Sequence, residues 1–318
     1  MSIVFLGTSE FAVTILERLA ASEAHRPVLV LTRPDRPRGR GRRLASPPVA
    51  ERARALGLAL EQPENVNDQS ARELIASTGA HTVVVCAFGA LIKEPLLSEH
   101  ELLNVHPSLL PRWRGAAPIE RAIIAGDDQT GVSIMRLTAG LDSGPVYRAA
   151  SEPIHPDDSY GSLAARLQEL GAMLLLDVLS AQAAGAGPEP IEQDERGVTY
   201  AEKIGPEDRL LDPSASAAEN DRTVRALHPH IGARAALADG SLLGVHRAAP
   251  LSGSALGRDG GDEMADTLGA MSGVVAWEGR LLLACSEGAL ELLCVQPPGG
   301  RAMDGAAYLR GHGPAGRA

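Results

Sequence analysis

The sequence contains few aromatic residues, few cysteines and no long apolar run. Aromatic residues make up 3% of the chain, so alanine, leucine and valine must fill its cores. The three cysteines, Cys86, Cys285 and Cys294, are widely spaced in apolar runs, which argues against a metal site or a disulfide framework and favours reduced core thiols. The opening MSIVFLGTSE lacks the features of a signal peptide, and no later stretch reaches membrane-spanning length. We therefore expect a soluble, cytoplasmic protein.

Length and charge limit the architecture and the partners. A chain of 318 residues is too long for one ordinary domain, and two domains of unequal size are expected. The formal net charge of −10 argues against a protein that binds nucleic acid with its whole surface, although a local basic patch is compatible with such binding.

Short apolar runs alternate with helical patterns over the first half of the chain, as a parallel sheet flanked by helices requires. A segment rich in Gly, Pro and charge follows, and after it several short strands that are typical of a small β-barrel. We therefore predict an α/β protein with a Rossmann-like parallel-sheet domain over residues 1–189, a linker over 190–208 and a smaller, OB-like C-terminal β-barrel domain over 209–318. Within the last domain, residues 252–272 are predicted to form an acidic loop.

A strand, the turn GTSEFA and a helix give the outline of a dinucleotide-binding motif at the start of the chain. That motif needs three glycines so that a pyrophosphate can approach the helix, and only Gly7 is present. The carboxylate of Glu10 would also repel a phosphate. We interpret the segment as a tight turn and expect no nicotinamide cofactor.

The run NVHPSLLPRWRGAAPIERA carries the strongest chemical signal. Residues two apart in a strand point to the same face, so Asn104 and His106 are predicted to lie side by side where a strand ends. An amide can donate to a developing oxyanion, and histidine can exchange a proton near neutral pH. Asp142, in the glycine-flanked turn TAGLDSGPV, is a candidate third group that would favour the protonated histidine. Taken alone, an Asn-x-His pair is weak evidence for catalysis, because either residue could simply form hydrogen bonds within a turn.

The segment RPDRPRGRGRR, residues 33–43, has six arginines and one aspartate. A basic run of this kind is usually a solvated surface. In a chain of net charge −10, however, so concentrated a patch also suits binding to phosphates. The residues alone leave both interpretations open.

Taken together, these motifs resemble the 10-formyltetrahydrofolate-dependent formyltransferases. NVHPSLLPRWRGAAPI, the following TGVSIM and then GLDSG match the signature of that family. The WRGAAPI wording and the long C-terminal extension are similar to the branch that acts on initiator methionyl-tRNA. The resemblance covers nearly the whole chain, because FLGTSEFA, RPDRPRGRGRRL, VTYAEKI and LELLCVQPPGGRAM also have counterparts.

The resemblance implies a role for each motif. Asn104, His106 and Asp142 would be catalytic: the first two would stabilise the oxyanion while a neutral amine attacks the formyl carbon, and Asp142 would support His106. The residues implied to line the folate site are Ser108, Leu109, Leu110, Pro111, Phe88, Gly89 and Leu91. Those implied to contact the tRNA are Arg38, Arg40, Arg42 and Arg43, with the C-terminal domain assisting. The implied substrates are 10-formyltetrahydrofolate and initiator methionyl-tRNA, with no metal, no membrane and no obligate protein partner.

Three other interpretations compete with this one. A related formyltransferase could act on a nucleotide-linked amino sugar or on glycinamide ribonucleotide, but the arginine segment and the large C-terminal domain argue against a small acceptor. A dinucleotide-dependent oxidoreductase is disfavoured by the missing glycines. A non-catalytic RNA-binding module would leave Asn104, His106 and Asp142 unexplained.

Overall fold

A computed structural model describes residues 2–38, 43–251 and 273–312 of the chain. The acidic segment 252–272, predicted to be a loop, lies outside these residues. The described chain divides into two compact units. Residues 1–118, 129–153 and 164–201 form the first, and residues 119–128, 154–163 and 202–318 form the second. The domain limits drawn from the sequence remain a prediction.

Seven strands of the described residues form the main sheet of the first unit, in the order β10-β9-β7-β6-β1-β2-β5. These strands are β1 (Ile3–Gly7), β2 (Pro27–Leu31), β5 (Leu60–Glu61), β6 (Thr82–Cys86), β7 (Glu101–His106), β9 (Gln129–Arg136) and β10 (Val146–Pro153). The five strands from β5 to β7 pair in parallel. Strands β1, β6 and β7 are buried along almost their whole length, as apolar runs in a doubly covered sheet require.

Helices connect the parallel strands. Six α-helices of the described residues begin before residue 202: α1 (Glu10–Ala21), α2 (Pro48–Ala55), α3 (Gln69–Ser77), α4 (Leu96–Glu99), α5 (Pro118–Ala125) and α6 (Tyr160–Ala183). Four short strands form two small ribbons, β3 (Arg36–Arg38) with β4 (Arg43–Ala45), and β8 (Arg114–Gly115) with β11 (Tyr200–Ala201). Apolar side chains from the strands, including Leu6, Leu31 and Val83, form a core cluster with residues of α3 and α4.

The sheet differs from the sequence prediction at one edge. Strand β9 runs antiparallel to β7, and β10 runs antiparallel to β9. The sequence does not predict β10, because its residues are mostly exposed or half-buried and lack an apolar pattern. The predicted Rossmann-like domain is therefore confirmed, with two antiparallel strands added beyond β7.

The second unit contains the predicted β-domain. Its described elements are α7 (Ala217–Leu227), β12 (Ala233–Ala236), β13 (Leu242–Leu251), β14 (Gly273–Trp277), β15 (Arg280–Ala284), β16 (Ala289–Gln296), β17 (Met303–Asp304) and α8 (Gly305–His312). The strands pair antiparallel in the order β12-β13-β16-β15-β14, and β17 adds to β16. Ser216 caps α7 in a capping box with Glu219, and Leu243, Leu290 and Tyr308 lie in the apolar core.

The three cysteines are free thiols. Cys86 is fully buried in β6, and this burial raises the pKa of its thiol. Cys285 and Cys294 are only half-buried, so the expectation of core positions holds fully for Cys86 alone.

Candidate active site

Asn104 and His106 lie at the carboxyl end of β7. Both are buried, with 8% and 4% of their surface exposed. Asn104 has a paired residue on each side, Val85 on β6 and Met135 on β9. His106 pairs with Ser133 on the antiparallel strand β9. Their spacing of two places the side chains on one face, at the edge where open α/β sheets bind ligands.

Asp142 reaches this pair from the turn between β9 and β10. Its Oδ2 lies 3.7 Å from Nδ1 of His106, and the same oxygen accepts a 2.9 Å hydrogen bond from the backbone N–H of Gly115. The backbone of Asp142 has φ +44°, a left-handed conformation that aspartate tolerates better than most residues. The structure thus brings together the three residues that the sequence separates by 38 positions, from Asn104 to Asp142.

The imidazole of His106 is fixed by the main chain. Its Nε2 lies 2.9 Å from the carbonyl oxygen of Trp113, which can only accept, so Nε2 carries a proton. Nδ1 then faces the carboxylate of Asp142. Both neighbours are acceptors, but the 3.7 Å separation at Nδ1 is longer than a hydrogen bond. Nδ1 is therefore the ring nitrogen available to a substrate.

The turn after β7 is tied to β9 through Ser108 and Ser133. The Ser133 hydroxyl donates to the carbonyl of Ser108 over 2.7 Å and accepts from the N–H of Leu110 over 3.2 Å. The Ser108 hydroxyl donates to the carbonyl of Arg112 over 2.6 Å. Both serines are fully buried. This network fixes the course of the chain directly after His106, and sequence reasoning missed Ser133.

Residues 191–201, which we call the strap segment, form hydrogen bonds with the chain that follows His106. Thr199 Oγ1 accepts from the N–H of Trp113 over 2.9 Å, and the Thr199 carbonyl accepts from the N–H of Arg114 over 2.9 Å. The carbonyl of Ala201 accepts from the N–H of Ala116 over 2.8 Å. Part of the segment that the sequence predicts to be a linker is therefore hydrogen-bonded to the active-site turn.

A buried arginine joins the strap segment to the Asp142 turn. Arg114 is 3% exposed, and its Nε donates to Gln193 Oε1 over 2.9 Å while its NH2 group donates to Glu195 over 2.9 Å. Gln193 Nε2 in turn donates to the carbonyls of Asp142 and Gly144, over 2.8 and 2.7 Å. The WRGAAPI motif pointed to this region, but no pattern in the sequence indicated Gln193.

The residues implied to line the folate site occupy different environments. Ser108 is buried in the network described above, and Leu109, Leu110 and Pro111 are half-buried. Phe88 is 4% exposed and lies in the apolar core, and its carbonyl accepts from Thr8 Oγ1 over 2.7 Å. Gly89 is exposed with φ +73°, and Leu91 is 67% exposed. Their contact with folate remains a prediction.

The arginine segment begins and ends as a β-ribbon. Strands β3 and β4 pair antiparallel, with Arg38 opposite Arg43. Arg43 is exposed, whereas Arg40 and Arg42 lie outside the described residues. Arg36, at the base, is paired with Glu64 over 2.8 Å. The sequence did not predict the two short strands.

The turn after β1 has the packing of a structural glycine. A Cβ on Gly7 would lie 2.6 Å from Phe5 Cε1 and 2.9 Å from Ala12 Cβ, so this glycine permits close packing of α1 on β1.

In residues 2–38, 43–251 and 273–312, no group of three His, Cys, Asp or Glu side chains is placed to hold a metal ion. Within the described part of the chain, no helix has the length and apolarity needed to cross a membrane.

Comparison with known proteins identifies the family. The model of the formyl transferase family matches residues 1–179, and the model of the formyl transferase C-terminal domain matches residues 203–313. The methionyl-tRNA formyltransferase of Stenotrophomonas maltophilia is 44% identical over 313 residues, which cover 97% of each chain. That of Halorhodospira halophila is 42% identical over 312 residues, covering 97% of this chain and 96% of the relative. The chain belongs to the methionyl-tRNA formyltransferase family.

Solved structures support the fold of this formyltransferase. HypX from Aquifex aeolicus in complex with tetrahydrofolic acid matches with a TM-score of 0.61 and 16% identity, over 96% of this chain and 46% of HypX. WlaRD, a sugar 3N-formyl transferase, matches with a TM-score of 0.63 and 14% identity, over 92% of this chain and 97% of its own. At these identities the matches show a shared fold. The family resemblance inferred from the sequence motifs is confirmed by the curated relatives.

Proposed function

We propose that this chain transfers the formyl group of 10-formyltetrahydrofolate to the free α-amino group of initiator methionyl-tRNA, giving N-formylmethionyl-tRNA for translation initiation. The enzyme class rests on curated relatives of matching length, which are methionyl-tRNA formyltransferases. The observation that supports the site is the convergence of Asn104, His106 and Asp142 at the carboxyl end of β7.

Asn104 is suited to bind the formyl oxygen. Its side-chain amide makes no hydrogen bond with a described residue, although only 8% of the residue surface is exposed. A buried amide with free donors stabilises an oxygen that gains negative charge, because no water has to be reorganised during the reaction. We assign it the role of oxyanion donor.

His106 and Asp142 act as a pair. With Nε2 bonded to Trp113, the Nδ1–H of the charged ring is the group that can approach the formyl oxygen. The 3.7 Å separation between Nδ1 and the Asp142 carboxylate is longer than a hydrogen bond, which leaves that proton accessible to the substrate. The carboxylate stabilises the imidazolium and is available to take the proton that the attacking amine releases. As the bond between the formyl carbon and N10 breaks, that proton passes to N10, and tetrahydrofolate leaves.

We assign the folate contact to residues that follow His106 in the chain and to the turn after β6. The half-buried residues 109–111 and the backbone turn at Gly89 are proposed to contact it, since planar heterocycles bind against apolar walls with a few backbone donors and acceptors. When bound, 10-formyltetrahydrofolate supplies the activated formyl group. The chain contributes position, exclusion of water and the three polar groups described above.

The arginine ribbon is proposed to bind the acceptor end of the tRNA. The arginines assigned to this contact are Arg38, Arg40, Arg42 and Arg43. Their charge is local in a chain of net charge −10, and phosphate contacts made by arginine position nucleic acid without reading its sequence. A small amino-sugar acceptor would have no use for such a ribbon.

One assay tests the proposed function. The purified chain is incubated with 10-formyltetrahydrofolate and, in parallel, with charged initiator tRNA, charged elongator tRNA and an amino-sugar nucleotide. We expect formylation of initiator methionyl-tRNA, and a fall of kcat by about 100-fold or more in His106→Ala and in Asp142→Ala. Formylation of the sugar alone would overturn the proposal, and near-normal turnover in either folded variant would refute its assigned role.

We also propose a cytoplasmic location and the domain limits given above, 1–189, 190–208 and 209–318. Three unpaired cysteines are consistent with a reducing compartment. The family models support the division, since they match residues 1–179 and 203–313 separately. Cell fractionation tests the location, and limited proteolysis tests the limits.

A further inference from the structure

We propose that Gln193 is a positioning residue for formyl transfer, which holds the backbone turn carrying Asp142 at its working distance from His106. This inference rests on the proposed function. It assigns a catalytic contribution to a residue of the predicted linker, a segment that the sequence suggested only for connecting two domains.

The contacts of Gln193 are all directed at the active site. Its Nε2 donates to the carbonyl of Asp142 over 2.8 Å and to the carbonyl of Gly144 over 2.7 Å. Its Oε1 accepts from Arg114 Nε over 2.9 Å. Both amide hydrogens and the carbonyl oxygen are thus used, so the side chain has one defined orientation.

The Asp142 turn needs such support. Asp142 has φ +44°, and a residue held in that conformation depends on its surroundings to over-determine it. Gly144 packs so closely on the chain that a Cβ there would lie in contact with the carbonyl oxygen of Arg136. The amide of Gln193 satisfies carbonyls on both sides of Ser143 and so clamps the turn at two points.

Gln193 also closes a ring of contacts around the catalytic pair. Trp113 accepts from His106, Arg114 donates to Gln193, and Gly115 donates to the carboxylate of Asp142. Three consecutive residues therefore fix the histidine, the clamp and the aspartate. Because Arg114 is buried, its guanidinium is held firmly enough to orient the Gln193 amide.

Two substitutions separate the contacts. Gln193→Met keeps the shape of the side chain but removes all three hydrogen bonds. Gln193→Glu keeps an acceptor for Arg114, and so protects folding, but loses the donors to Asp142 and Gly144. We expect each variant to lose kcat by about 10- to 100-fold with little change in KM for either substrate, as for a misplaced catalytic group.

A double-mutant cycle distinguishes positioning from a structural role. Gln193→Met is combined with Asp142→Asn, and kcat is compared with that of each single variant. If Gln193 acts through Asp142, its substitution should cost less than about 2-fold once the carboxylate is absent. Independent, multiplicative losses would overturn the inference, as would unchanged kcat in Gln193→Glu or a rise in KM alone.

A control and the wild type complete the experiment. Gln182→Met removes a comparable half-buried amide. The Nε2 of Gln182 donates a 3.0 Å hydrogen bond to Glu101, at the opposite end of β7 from His106, so kcat should be unchanged. Equal losses in both glutamine variants would overturn the inference. Failure of the wild-type chain to formylate methionyl-tRNA would instead refute the proposed function, so the two failures are distinguishable.

Discussion

Replacing Gly115 by alanine should disturb the catalytic aspartate through the backbone. Gly115 has φ +127°, a conformation that side chains rarely adopt, and this strain alone costs about 1–3 kcal/mol. The new Cβ would lie 2.6 Å from the carbonyl oxygen of Ala201, whereas ordinary contacts begin at 3.4 Å. Relief therefore requires a shift of about 0.8 Å. A displacement of that size in the direction away from Asp142 would stretch the 2.9 Å bond to its Oδ2 beyond the hydrogen-bond range.

We expect Gly115→Ala to lower the free energy of unfolding by about 1–3 kcal/mol and to lower kcat by about 10- to 100-fold. Urea unfolding and steady-state formylation of methionyl-tRNA measure the two effects. Gly79→Ala is the matched control, because Gly79 has φ +66° but nothing within 4 Å of its Cβ position. The control should lose stability only. A kcat within about 2-fold of wild type in Gly115→Ala would show that this N–H does not position Asp142.

Three further predictions test other parts of the chain. Alanine at the four arginines assigned to the tRNA contact should weaken tRNA binding and reduce the salt slope of log K by about 3, with folate binding retained. The control Arg18→Ala removes an arginine that pairs with Glu169 in wild type and should leave the slope unchanged. An unchanged slope in the fourfold variant would refute the contact. The residues of that variant are Arg38, Arg40, Arg42 and Arg43. Gly7→Ala should lower the free energy of unfolding by about 1–3 kcal/mol, because the new Cβ would clash with Phe5. Added NAD should not raise the unfolding midpoint of the wild type, and a rise would support the dinucleotide interpretation instead. Hydrogen bonds from Arg121 lower the pKa of Asp208 below its unfolded value of about 3.9, so the pair stabilises the fold above that pH and the stabilisation is lost as the pH falls through the lowered pKa. Arg121→Met should therefore cost about 1.5–3 kcal/mol at pH 7 and progressively less as the pH falls below the unfolded pKa of Asp208, and a cost that does not change with pH would contradict the assignment.

The sequence was most informative where a short-range rule fixes the geometry. The period of two along a strand placed Asn104 and His106 on one face, and β7 confirms that placement. A glycine-flanked turn also singled out Asp142, whose carboxylate lies 3.7 Å from Nδ1 of His106 in the structure, and its catalytic role remains a prediction. Apolar strand runs that alternate with amphipathic helical patterns predicted the Rossmann-like core, because these patterns also follow short-range periodicity.

It was least informative where a contact depends on backbone groups of a distant segment. Gln193 and Thr199 bind carbonyls and N–H groups of the active-site turn, and such bonds leave no periodic trace in the sequence. The strand β10 and the short strands of the arginine ribbon were also missed. Their partly exposed residues provide no apolar alternation, so only pairing with a neighbouring strand defines them.

The way in which Asp142 is held has a chemical consequence. Its carboxylate is fixed by the N–H of Gly115 and its backbone by Gln193, and no arginine or lysine in the described ranges forms an ion pair with it. The nearby buried cation, Arg114, is instead directed to Gln193 and Glu195. A direct ion pair would neutralise the carboxylate and weaken its field at His106. Neutral donors fix the aspartate without neutralising its charge, which in the mechanism we propose stabilises the imidazolium during formyl transfer.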